Sequence, residues 1–125
     1  MKYIFLQNKS IYYYNLASNQ NYANAQYKLG NIYSEGKYIS RDINKAIHYY
    51  SLAANQKDST AQLNLGIIYY KNMPVQQFVN KGVYYLTEAS CNRCKSAHFY
   101  VGFLYHEGKY VDQDINKAIH YYHIH

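Results

Sequence analysis

Residues Tyr33-Ser-Glu-Gly-Lys-Tyr-Ile-Ser-Arg-Asp-Ile-Asn-Lys-Ala-Ile-His-Tyr-Tyr50 return as Tyr105-His-Glu-Gly-Lys-Tyr-Val-Asp-Gln-Asp-Ile-Asn-Lys-Ala-Ile-His-Tyr-Tyr122. The offset is 105 − 33 = 72, and half of it, 36, lands on a weaker copy from Tyr69 to Leu86. A period this long and this faithful marks a repeat array, because one such unit cannot bury its apolar side alone. Upstream, Lys9-Ser-Ile-Tyr-Tyr-Tyr-Asn-Leu-Ala-Ser-Asn-Gln20 aligns with Lys45-Ala-Ile-His-Tyr-Tyr-Ser-Leu-Ala-Ala-Asn-Gln56 at the same period. The frame is therefore a partial repeat at 8–20, full repeats at 21–56 and 57–92, and a truncated one at 93–125. We read 1–125 as a single repeat domain.

Each unit predicts two helices. The first carries Ala25, Leu29, Ile32 and Tyr33 on one side of a 3.6-residue spiral, with copies Ala61, Leu65, Ile68, Tyr69 and Ala97, Val101, Leu104, Tyr105. Gly36 and Gly108 fall just past it, where a left-handed residue ends a helix; Asn72 takes that place in the middle unit. Asp42 and Asp114 are placed to cap the second helix, and Asp58 or Ser59 to cap the first helix of the middle unit. The second helix carries Ala46, Ile47, Tyr49, Tyr50, Ala53 and Ala54, whose small residues permit close helix approach. Gly30, Gly66 and Gly102 lie in mid-helix, where glycine costs about 1 kcal/mol against alanine. The same costly residue in three units implies that something presses there, and the nearby tyrosines are the expected partners. The middle copy departs most from Asn72 to Phe78: Pro74 enters the loop, Phe78 replaces the capping Asp, and a looser turn is expected.

The totals agree with helices joined by short turns. Hydrophobic residues make up 49% of the 125, enough for a core, although 19 of them are tyrosines whose hydroxyls need partners. One proline and six glycines are too few for a loop-rich or disordered chain. Thirteen Lys+Arg against seven Asp+Glu give +6, which favours acidic partners. The basic residues are spread out, however, and Lys45, Lys81 and Lys117 are one repeat position seen three times. No run approaches the roughly 18 apolar residues of a membrane span, and Met1–Leu6 is too short for a secretory signal. A cytoplasmic location is the default expectation.

The pattern Ala-x3-Leu-Gly-x2-Tyr-x2-Gly, then Asp, then Lys-Ala-x2-Tyr-Tyr-x2-Ala-Ala resembles the Sel-one-like repeat. Ala25, Leu29, Gly30, Tyr33, Gly36, Asp42, Lys45, Ala46, Tyr49, Tyr50, Ala53 and Ala54 carry it, and the likeness runs from about Lys9 to His125. The resemblance implies an all-α fold: a right-handed α–α superhelix, or solenoid, of about three 36-residue helix-turn-helix repeats with a concave face. It also implies a scaffold or adaptor that binds proteins. In cysteine-rich members of the family the bridging cysteines would fall at Ser90 and His98; neither is Cys here, so that pattern is absent.

Catalytic and metal signatures are weak. Cys91-Asn-Arg-Cys94 with His98 offers three zinc ligands without an adjacent fourth, and two ordinary thiols are the simpler reading. His120, His123 and His125 end the chain, but His120 repeats the surface position of His48. No nucleophile arrangement, carboxylate pair or phosphate loop stands out, so no enzyme, cofactor or metal site is expected.

In stacked hairpins the first helices line the inner curve. The positions there that vary between repeats are Lys28 and Asn31, Asn64 and Ile67, Tyr100 and Phe103. We expect these six to contact a protein or peptide partner, with Ile67 and Phe103 as apolar anchors. Packing against the neighbouring unit is the equal alternative for those two. The alternative function is nucleic-acid binding in a basic, tyrosine-rich groove. The uncapped ends, Tyr12–Tyr14 and Ile119–Tyr122, leave end-to-end self-association open.

Overall fold

The structure is a computed structural model that describes residues 2–71, 76–91 and 94–123. The expectations placed at Asn72, Pro74 and His125 lie outside these residues. Among the described residues there are seven helices and no strand: α1 (Lys2–Asn19), α2 (Ala23–Glu35), α3 (Ile43–Asn55), α4 (Ser59–Lys71), α5 (Gln76–Cys91), α6 (Lys95–Glu107) and α7 (Ile115–Tyr122). The chain divides into two compact units, Met1–Ala61 and Gln62–His125, the boundary falling in the first turn of α4.

The helix ends follow from local chemistry. Gly36 and Gly108 adopt φ of 63° and 67° and end α2 and α6, their amides bonding back to the Ile32 and Leu104 carbonyls. A side chain there would be strained by the left-handed φ, and its Cβ would lie 2.5 Å from that of Arg41 or Gln113. Those two residues close the loop. Arg41 Nε donates to the Ser34 carbonyl at 3.1 Å, and Gln113 Nε2 donates to the His106 carbonyl at 2.9 Å. Asp42 and Asp114 then start α3 and α7, each accepting from a backbone amide three residues on, at 3.1 and 3.0 Å. Asp58, not Ser59, caps α4, accepting from the Ala61 amide at 2.9 Å.

The middle repeat, with Phe78 at the position of the capping aspartates, starts its second helix differently. α5 begins at Gln76, three residues before the position equivalent to Ile43 (43 + 36 = 79), and runs for 16 residues against 13 in α3. Phe78 thus sits inside the first turn and packs its ring 5.6 Å from that of Tyr69. The second helix is thus longer than its counterparts, and the turn expected to be looser falls mostly at 72–75, outside the described residues.

In the first unit α2 and α3 form a hairpin. A methyl placed on Gly30 would come within 2.5 Å of the Tyr50 ring, so the glycine is what lets that ring lie on the helix backbone. Tyr50 is buried, and its hydroxyl donates to Asn31 Oδ1 at 2.5 Å. Tyr33 and Tyr49 stack at 5.8 Å and 6°, with Lys45 Nζ 5.1 Å above the Tyr33 ring. Tyr49 reaches α1 by donating to Asn15 Oδ1 at 3.2 Å. Buried Gln26 is satisfied by Asn21 and Gln56 side chains at 3.1 and 2.9 Å.

In the second unit Leu86, Val101 and Leu104 form a buried cluster, and Leu63, Ile67, Tyr70, Val83 and Tyr100 pack on it. The same stack recurs twice: Tyr69–Tyr85 at 6.1 Å beneath Lys81, and Tyr105–Tyr121 at 6.1 Å beneath Lys117. Tyr122 lies against Gly102 as Tyr50 does against Gly30. The middle pair differs from expectation: Gly66 faces Leu86, because leucine occupies the repeat position of those tyrosines. Buried His98 pairs its Nδ1 with Ser90 Oγ at 2.5 Å, tying α5 to α6.

Candidate interaction surface

The first helices α2, α4 and α6 carry all six positions expected to meet a partner. Lys28 projects from α2 and is exposed. Asn31, one turn on, is half-buried and accepts the Tyr50 hydroxyl, so part of its polar capacity serves the hairpin. In the second unit Asn64 is half-buried. Ile67 and Tyr100 come together on the Leu86–Val101–Leu104 cluster, Tyr100 also meeting Tyr70 edge-on at 6.0 Å. Phe103 points elsewhere: it lines a cavity of about 250 Å³ together with Tyr70, Lys71, Leu104, Glu107, Lys109 and Tyr110.

The cavity is built from the end of α4, the end of α6 and the loop after Gly108. Phe103 and Leu104 are the phenyl and aliphatic members of its lining. Tyr70 and Tyr110 meet edge-on at 6.4 Å, and Lys109 Nζ stands 5.2 Å over the Tyr110 ring. Burial raises the Tyr70 pKa above its usual value near 10, the Glu107 carboxylate raises it further, and Lys109 opposes. The phenol is therefore a neutral donor throughout the physiological range. Lys71, Glu107 and Lys109, also on its lining, are all exposed.

Sequence reasoning left out Tyr70, Lys71 and Tyr110, and a signal for them existed. The other repeats read Ser34-Glu35 and His106-Glu107 where the middle one reads Tyr70-Lys71, which reverses the charge of the second position. Phe99 was also left out; it is 62% exposed and touches Tyr122 at 5.9 Å.

The remaining constellations are structural. Within each Lys–Tyr–Tyr stack one ring face covers the other, so those tyrosines act as packing elements between paired helices. Cys91 is exposed, Cys94 half-buried, and both are free thiols. Among the described residues no group of three or more His, Cys, Asp and Glu side chains is placed to hold a metal ion. No described helix is long and apolar enough to cross a membrane.

The model of one repeat family, described as the Sel1 repeat, matches at residues 7–22, 23–58, 59–93 and 95–124. Among solved structures, a Sel1 repeat protein from Oxalobacter formigenes superposes with a TM-score of 0.80 at 28% identity, over 90% of this chain and 46% of that one. A protective antigen of uropathogenic Escherichia coli strains, displaying an SLR fold, superposes with a TM-score of 0.83 at 29% identity, over 89% of this chain and 24% of that one. The chain thus spans less than half the length of either. No curated protein matches.

Proposed function

The chain belongs to the Sel1 repeat family, and we propose that it is a non-catalytic interaction module that binds partner polypeptides along the first helices of its repeats. Proteins of this family are generally scaffolds for protein–protein contacts. One observation supports that reading for this chain. On each first helix the packing positions hold similar residues and are buried (Leu29, Leu65 and Val101), while positions two residues on differ between repeats (Asn31, Ile67 and Phe103) and keep partial access to solvent. A surface with constant packing and variable decoration suits recognition better than chemistry. Lys28, Asn31, Asn64, Ile67, Tyr100 and Phe103 remain the proposed contact positions. Ile67 and Tyr100 double as packing residues and are poor targets for a clean test.

The test is capture of polypeptides from the source cell by the immobilised chain, against a Lys28→Glu/Phe103→Asp variant of unchanged helical circular dichroism. Loss of a defined set of captured polypeptides is expected. An unchanged set would remove these positions from the surface. Capture dominated by nucleic acid, falling steeply with salt, would favour the alternative reading.

A further inference from the structure

The cavity at the α4 and α6 ends carries chemistry that a generic interaction surface does not require. Its volume of about 250 Å³ lies below the roughly 300–1,000 Å³ typical of sites for drug-sized molecules, and suits one side chain. Its lining combines Phe103, Leu104 and the rings of Tyr70 and Tyr110 with two lysines and one carboxylate. Lys71 and Lys109 outnumber Glu107 on the cavity's lining, in a chain already at +6. Lys71 is the one charge reversal among three equivalent positions, Glu35, Lys71 and Glu107.

We propose that this cavity receives a single apolar side chain of an acidic peptide segment, with acidic neighbours of that side chain meeting Lys71 and Lys109. The proposal rests on the interaction-module reading and names the class of partner. The anchor gains by leaving water for contact with Phe103, Leu104 and the rings of Tyr70 and Tyr110. The Tyr70 hydroxyl, held neutral, donates to a peptide carbonyl or carboxylate. Glu107 repels acid at its own end and thereby fixes which way the segment runs. Charge on these exposed residues sets the preference for acidic over basic segments and is screened by salt.

The experiment uses labelled ten-residue peptides with a central Leu flanked by Asp, the same peptide with Ala for Leu, and one with Lys for every Asp. Binding to the intact chain is read by fluorescence anisotropy, and the site by amide chemical shifts. The Asp peptide should bind with shifts gathered at residues 70–71 and 103–110. Ala for Leu should weaken it by about thirtyfold, as expected for several lost methylenes in an apolar pocket. Lys71→Glu/Lys109→Glu should weaken it by about tenfold, and Glu107→Gln should strengthen it by about threefold. All three residues are exposed, so these variants keep the fold. The proposal is overturned if the Asp peptide does not bind, if the Lys peptide binds more tightly, or if the shifts gather elsewhere. Any of those results, with polypeptide capture still sensitive to Lys28→Glu, would remove the pocket assignment and leave the broader reading standing.

Discussion

The first and middle hairpins use one backbone plan with different parts. In the first, Gly30 admits the buried Tyr50 ring, whose hydroxyl is fixed by Asn31, and Asp42 caps the second helix. In the middle one, Gly66 admits Leu86, which is fully buried, and Phe78 packs on Tyr69 where the cap would be. The lesson is that the glycine demands a snug neighbour and does not dictate which. A ring with a polar tip also needs a partner for its hydroxyl. Leucine needs none, and in the middle repeat the position of Asn31 is taken by Ile67, which packs on the Leu86 cluster.

The sharpest attack on this comparison is Leu86→Ala. It opens a cavity beside Gly66 and Val101, and a loss of about 3 kcal/mol is expected in urea unfolding. Survival with under 1 kcal/mol of loss would show that the middle hairpin does not depend on that contact. Next comes alanine at the three mid-helix glycines. Gly30→Ala forces the tethered Tyr50 ring to move and should cost about 2 kcal/mol net of the helix propensity gained. Gly66→Ala should cost about 1 kcal/mol: the Leu86 side chain can change rotamer, while its backbone nitrogen, 3.1 Å from the added methyl, must give by a few tenths of an ångström. Gly102→Ala should be nearly neutral, because Tyr122 is 38% exposed and can swing away. Thermal midpoints in any other order would break the reading.

Asp42→Ala should remove about 1 kcal/mol by leaving the Lys45 amide without its cap. Phe78→Asp, the reciprocal change, should not stabilise. It puts a carboxylate in the first turn of a helix that already starts upstream, and it strips the ring from Tyr69. A higher melting temperature for that variant would mean that the longer α5 is a weak substitute for a cap.

The smallest expected effect is with pH. Burial raises the pKa of Tyr69, Tyr85 and Tyr121 above the usual 10.0, with phenol neighbours adding to it. The folded state thus holds these protons more tightly than the unfolded chain. Their contribution is complete below about pH 10 and is lost as pH climbs through the folded values. Tyr121→Phe should move the onset of alkaline unfolding upward, as read by the urea midpoint at successive pH values. An onset that moves downward would reverse the sign of this linkage.

Much of the architecture was legible in local chemistry. Gly36 and Gly108 in left-handed turns, and Asp42, Asp58 and Asp114 at helix starts, depend on residues within a few positions, and the sequence states them directly. The αL turn at Asn21 and Lys57, φ 66° and 69°, was missed although the two are one period apart, because neither is glycine. The interaction surface was less legible. Phe103 and Ile67 stand at equivalent positions, yet one lines a cavity and the other packs on the Leu86 cluster.

By itself the sequence determined the period, the helix ends marked by Gly36, Asp42, Asp58, Gly108 and Asp114, and the need for close contact at Gly30, Gly66 and Gly102, since each depends on residue type and short-range spacing. Tertiary structure alone decided what fills those contacts and which variable residues stay open. It brought Tyr70, Lys71, Phe103 and Tyr110, up to 40 residues apart (110 − 70), around one cavity. No periodicity encodes that meeting, because it arises where the end of one hairpin's first helix faces the loop of the next.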